Sequence, residues 1–160
     1  MKESMRYVNI LRESLERKKQ YLDTILEYTV EQGELAHAES FDENAFSRLV
    51  EGKEVLINNI NEIDKGFTSV YDRVRSQVLD NPAEYADELK KIQQLIQQCI
   101  DLGMKIEACE QRNRGALEQA LSSGLRNIRK VKQSKKIVNQ YYRSMANGAV
   151  DDMVFYDKKK

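Results

Sequence analysis

The chain has 160 residues, with 26 acidic and 26 basic side chains, one histidine, two cysteines, one proline and no tryptophan. At 41% hydrophobic it can bury one core of domain size, and it is rich in Leu, Ile, Glu, Lys, Gln and Arg, which lose little free energy on entering a helix. The expectation is an all-α protein. No stretch approaches the roughly 18 consecutive apolar residues that a membrane span needs. The opening Met-Lys-Glu-Ser-Met-Arg carries charge where a signal peptide needs an apolar block, so a cytoplasmic location is expected.

The first segment repeats apolar residues at three-four spacing through Val8, Leu11, Leu15, Lys18, Leu22, Ile25 and Thr29, flanked one position earlier by Tyr7, Tyr21, Tyr28 and Leu35. This predicts a helix from about Ser4 to Ala38. Near its end His37 stands three residues after Glu34, which is half of the Glu-x-x-His pair used in di-iron bundles. The second half would need a second histidine, so neither a metal site nor any other cofactor is expected.

The second segment is the most regular. Phe46, Leu49, Lys53, Leu56, Ile60, Ile63, Phe67, Val70 and Val74 hold the heptad spacing without a break, predicting a helix over roughly 41–79. Ser40 followed by Glu43 fits a capping box at its start. The short link requires the two helices to fold back as an antiparallel hairpin.

Asn81, Pro82 and Glu84 then give an N-cap, a first-turn proline and a first-turn carboxylate. A third helix is predicted from there, with a seam through Leu89, Ile92, Ile96, Cys99, Gly103 and Ile106. The seam weakens at Glu110 and Asn113 and resumes as Leu117, Leu121, Leu125 and Ile128. The four-four-three spacing of that last group is a stutter, which unwinds a left-handed supercoil locally. Gly115 and Gly124 each cost a helix interior about 1 kcal/mol relative to Ala and suggest a hinge. Cys99 and Cys109, ten residues apart on one helix, would stand about 15 Å from each other, beyond disulfide reach, and read as small core residues.

The fold expected is therefore an up-down-up bundle of a long antiparallel hairpin and a third long helix, with the C-terminal segment continuing that helix or forming a separate short one. Residues 1–136 are assigned to the bundle and 137–160 to a basic tail whose last 15–20 residues are expected to be poorly ordered alone. A third helix from Pro82 to near Lys132 would span roughly 75 Å against roughly 52 Å for the first. It should clear the hairpin at about residue 117. Leu117, Leu121, Leu125 and Ile128 would then form an overhanging apolar stripe among Arg126, Arg129, Lys130 and Lys132. Burying four such side chains is worth about 6–12 kcal/mol before association costs. The cover could come from a partner helix, from a second copy in a homodimer, or from the segment itself folded back as a fourth helix.

Charge supports a binding role for this end. Residues 126–160 hold ten basic side chains and three acidic ones, which leaves 16 basic and 23 acidic before them. An acidic body of minus seven thus carries a basic tail of plus seven, a pattern suited to a partner read by charge. Lys and Arg interleaved with Tyr141 and Tyr142 could also contact nucleic acid, but the acidic body and a pI near 6.6 argue against it. No Gly-rich phosphate loop, Ser/His/Asp set or Cys/His zinc spacing is present, so no enzymatic activity is expected.

The stretch Leu49-Val50-Glu51-Gly52-Lys53-Glu54-Val55-Leu56-Ile57-Asn58-Asn59-Ile60-Asn61-Glu62-Ile63-Asp64 resembles the second helix of flagellar type III export chaperones of the FlgN family, in which a Leu-rich segment meets a Lys-Glu pair and continues into Leu and Ile. The resemblance covers about two-thirds of the chain. The closing Phe155-Tyr156-Asp157-Lys158-Lys159-Lys160 also looks like the tails of such proteins. It implies a chaperone that binds the helical ends of hook-filament junction proteins through its C-terminal helical region, prevents their premature assembly and delivers them to the export gate. FliT-type chaperones share the helical build and differ mainly in client. On this reading Leu117, Leu121, Leu125, Ile128, Arg126 and Arg129 bind the client. The resemblance also implies that Tyr141 or Tyr142 docks at the export machinery. The alternative is a coiled-coil adaptor or structural homo-oligomer.

Overall fold

The structure, a computed structural model, describes residues 2–80 and 83–123. The seam of the first segment becomes α1 (Lys2–His37), the second segment becomes α2 (Glu43–Asp80), and the third becomes α3 (Ala86–Ser123). All seven seam residues expected on α1 are buried, and the row continues into Gln32 and Ala36. α2 starts two residues later than expected. Its cap is Asp42, whose Oδ1 accepts from the Ala45 amide at 3.0 Å, so Asp42 does the work that the sequence reading gave to Ser40. Asn81 and Pro82 lie outside the described residues, and α3 begins after a turn that plants Tyr85 in the core.

α2 differs from expectation in phase. Phe46, Lys53, Ile60, Phe67 and Val74 are buried as the heptad predicts, but Leu49, Leu56, Ile63 and Val70 are only half-buried. Their neighbours Val50, Ile57 and Asp64 occupy the interior instead. The shift has a geometric cause. A two-stranded seam uses one pair of heptad positions, whereas a third helix draws in the adjacent row, leaving the leucines over the flank of α1 with Tyr21, Tyr28 and Leu35.

The core is three apolar layers stacked along the bundle. Val8, Leu11, Leu15, Phe67, Val74, Tyr85, Ile92 and Ile96 form the first. Leu22, Ile25, Ile57, Ile60, Cys99, Leu102 and Ile106 form the second, and Ala36, Phe46, Val50 and Leu117 the third. Because α1 and α3 numbers rise together from layer to layer while those of α2 fall, α1 and α3 run parallel and α2 antiparallel to both. α1 is the shared helix: it packs on α2 and on α3, while no Cα of α2 comes within 8 Å of one in α3 among the described residues.

Two corrections concern the far end of α3. The helix runs through Gly115 unbroken to Ser123, so the hinge expected at Gly115 is not there; Gly124 lies outside the described residues. Nor does α3 clear the hairpin at residue 117. Asn113 Nδ2 donates to the Thr29 carbonyl at 2.7 Å across a sequence separation of 84, which sets His37, the last residue of α1, level with residue 121. α1, α2 and α3 have 36, 38 and 38 residues, each about 54–57 Å long, so the described part of α3 is matched to its neighbours. The difference arises because α3 begins at Ala86, four residues after Pro82, which shifts it along α1 by about one turn.

Candidate functional site

Leu117 is 1% exposed, packed among Ala36, Phe46 and Val50, and Leu121 is 5% exposed. These two residues, expected in an open stripe, are part of the bundle interior. Leu125, Arg126, Ile128, Arg129, Tyr141 and Tyr142 lie outside the described residues, as do the stutter they were expected to complete and the basic tail.

What the sequence reading treated as interruptions of the seam is the best-defined polar feature of the molecule. Lys18 on α1 meets Asp64 on α2 at 2.7 Å, buried between the first and second apolar layers. Between the second and third layers, Lys53 of α2 has no exposed surface. Its ammonium donates to Thr29 Oγ1 at 2.7 Å, to Gln32 Oε1 at 2.8 Å, and to Glu110 Oε1 of α3. All three of its N–H donors are used. The Thr29 hydroxyl, while accepting from Lys53, donates to the Ile25 carbonyl at 2.6 Å. The cluster thus links all three helices, and it joins α2 to α3 where their backbones stay apart.

Desolvation pulls the Lys53 ammonium from 10.5 down to about 8, against the opposing pull of Glu110. Burial likewise pushes the Cys99 thiol from 9.0 up to about 11, with Lys18 acting the other way. Cys99 and Cys109 are both buried free thiols; a thiol held in its protonated form is a poor nucleophile.

Gly33 makes the Asn113 contact possible, because a Cβ there would fall 2.5 Å from Asn113 Oδ1. The signal for this cluster was present in the sequence: Lys18, Thr29, Lys53, Glu110 and Asn113 all occupy core heptad positions, where an unpartnered polar group would be costly. Asp64 and Gln32 carried no such mark. His37, the half-motif candidate, donates from Nδ1 to the Gly33 carbonyl at 2.7 Å. Among the described residues no group of three or more His, Cys, Asp or Glu side chains is placed to hold a metal ion. None of their helices is long and apolar enough to cross a membrane.

On the surface, α1 and α2 enclose a furrow on the flank where the leucines of α2 are half-buried. Its larger hollow, about 500 Å³, has Tyr28, Leu35, Leu49, Ala45 and Gly52 along it, with Glu31 and Glu34 on the α1 side and Arg48 on the α2 side. Gly52 lets the Tyr28 ring lie close, 3.1 Å from where a Cβ would stand. A second hollow of about 260 Å³ lies by Arg17, Tyr21, Asn59, Glu62 and Ile63.

Among the described residues these features define an all-α bundle of three helices with polar layers in its core. No protein-family model, no curated protein and no solved structure matches the chain.

Proposed function

We propose that this protein is a non-catalytic, cytoplasmic helical binding protein acting as a flagellar export chaperone of the FlgN type, which holds the helical ends of hook-filament junction proteins and hands them to the export gate. The reading is supported by the resemblance over Leu49–Asp64. One observation carries it: the bundle closes its own seam through Leu121, while the sequence continues the spacing through Leu125 and Ile128 among Arg126, Arg129 and Lys130. An apolar stripe at helical spacing, edged by cations, is suited to a helix-in-groove contact. Leu117 and Leu121 are supports of that site rather than its surface. Tyr141 and Tyr142 contact the export machinery.

The test is calorimetric titration of the full chain with a C-terminal helical peptide of a hook-filament junction protein. Replacing Leu125 and Ile128 by Asp should weaken binding by about 30-fold or more, the loss of roughly 2 kcal/mol of apolar contact, with the melting temperature unchanged. Tyr141→Ala with Tyr142→Ala should leave peptide binding intact and reduce export in motile cells. The proposal fails if the peptide does not bind, or if the Asp variants bind as well as the unmodified chain.

A further inference from the structure

The gap between α2 and α3 is handled differently at the two polar levels of the core. Among the described residues no Cα of one helix comes within 8 Å of a Cα of the other, so the space between them is closed by side chains alone. At the Lys53 level the lysine comes from α2, and its long side chain crosses to Glu110 on α3. At the Lys18 level the lysine comes from α1 and its carboxylate, Asp64, from α2, 2.7 Å away. What α3 brings to this level is Ile96, Cys99 and Ile100. Cys99 stands in the buried row of Ile92, Ile96 and Ile106, and its thiol fills less space than their branched side chains.

The space left over is a hollow of about 10 Å³, lined by Lys18, Asp64 and Cys99 together with apolar side chains from all three helices. Its size sets one limit. A single water molecule needs about 10–15 Å³, and nothing larger fits. Its lining sets the other. Cavities that stay dry are apolar, whereas this one borders an ammonium and a carboxylate that are both buried. The carboxylate disfavours an anion and the ammonium a cation, so the pair selects a neutral dipole that accepts from one and donates to the other. Cys99 adds a weakly polar thiol, whose Sγ donates to the Leu15 carbonyl at 3.9 Å.

We infer that this hollow is a binding site for one water molecule, which accepts a hydrogen bond from the Lys18 ammonium and donates one to the Asp64 carboxylate, and that Cys99 serves there by being small. The part played by the thiol is spatial and not redox. The core then holds two polar layers of different kinds. The one at Lys53 is closed by protein oxygens from α1 and α3; the one at Lys18 is completed by solvent, which supplies the polar reach that α3 lacks at that level. The inference does not depend on what the C-terminal region binds.

A high-resolution crystal structure of the full chain should show an ordered water within about 3.2 Å of both Lys18 Nζ and an Asp64 carboxylate oxygen. Cys99→Ser, which keeps the side chain short, should retain that water, and Cys99→Val should expel it. Lys18→Met combined with Asp64→Leu removes the polar lining at similar volume and should also lose the water while keeping the fold. Oxygen-17 relaxation dispersion of the solvent makes the same comparison without a crystal: the unmodified chain should hold one more long-lived water than either the valine variant or the Met/Leu pair. No water at the hollow in the unmodified chain overturns the proposal. So does a side chain found filling the hollow, a water that persists in the Met/Leu pair, or equal long-lived water counts in solution. If Cys99→Val does not fold, the Met/Leu pair and the unmodified chain still decide the matter.

Discussion

Lys53 is a cation with no exposed surface, held by one carboxylate and two neutral oxygens. Removing only one member of such a cluster strands a buried charge, so Lys53→Ala should cost about 3–5 kcal/mol in urea denaturation. Lys53→Met combined with Glu110→Leu should recover that loss and can exceed the parent in stability. pH provides a second handle. The lowered pKa of Lys53 means that its contribution is lost as pH falls through about 8 and present above 10.5. Stability should therefore rise from pH 8 with a slope of at most about 1.4 kcal/mol per pH unit. The raised pKa of Cys99 acts oppositely, its contribution being present below 9 and lost as pH rises through about 11. The rise should flatten above pH 9, and Cys99→Ala should restore it; a chemical-denaturation series across pH 7–10 reads both effects. Gly115 and Gly33, two of the helical glycines, make a further pair. Gly115→Ala meets nothing within 4 Å and should gain up to about 1 kcal/mol. Gly33→Ala would crowd Asn113, which is itself buried and bonded, and should cost about 1–3 kcal/mol.

At the scale of the helix, sequence periodicity read α1 almost completely, because every core position there faces one of its two neighbours. α2 was legible in extent and less so in face. Leu49 and Leu56 are as apolar as Val50 and Ile57, and Ile63 is more apolar than the Asp64 that displaced it, so hydropathy could not decide which row turned inward; that depended on where α3 lay. The end of α3 was misread for a related reason. Leu117 looks the same whether its cover comes from Phe46 or from another molecule, and only the stagger fixed by Asn113 and Thr29 decides between them. Leu117→Ala is accordingly expected to lower stability by about 3 kcal/mol, a shift of a few degrees or more in a thermal melt. Of the residues that the sequence pointed to as client-binding, it and Leu121 are the two whose mutation should read as a folding defect. The polar layers were half legible: their seam positions marked Lys18, Lys53 and Glu110, but nothing local in the sequence says which cation will meet which carboxylate.

At the scale of the whole molecule, apolar layers alternate with buried ion pairs along a rod about 55 Å long. Apolar side chains of similar size could slide past one another by a turn; a lysine confined to one level by a carboxylate on another helix cannot do so cheaply. The bundle's shape also follows from α1 being shared. Helices that are neighbours in sequence pack on each other at one face of α1, but its other face belongs to α3, as far as 84 residues away at Thr29 and Asn113.

That placement has a consequence during synthesis. α1 is complete once residue 37 has been added, whereas its parallel partner is not complete until residue 123. At about 5–20 residues per second a nascent chain carries a finished helix with one greasy side bare for about 4–17 seconds. Over that interval the α1–α2 hairpin is at its most exposed to aggregation, and a slowed ribosome between residues 80 and 120 would lengthen the exposure.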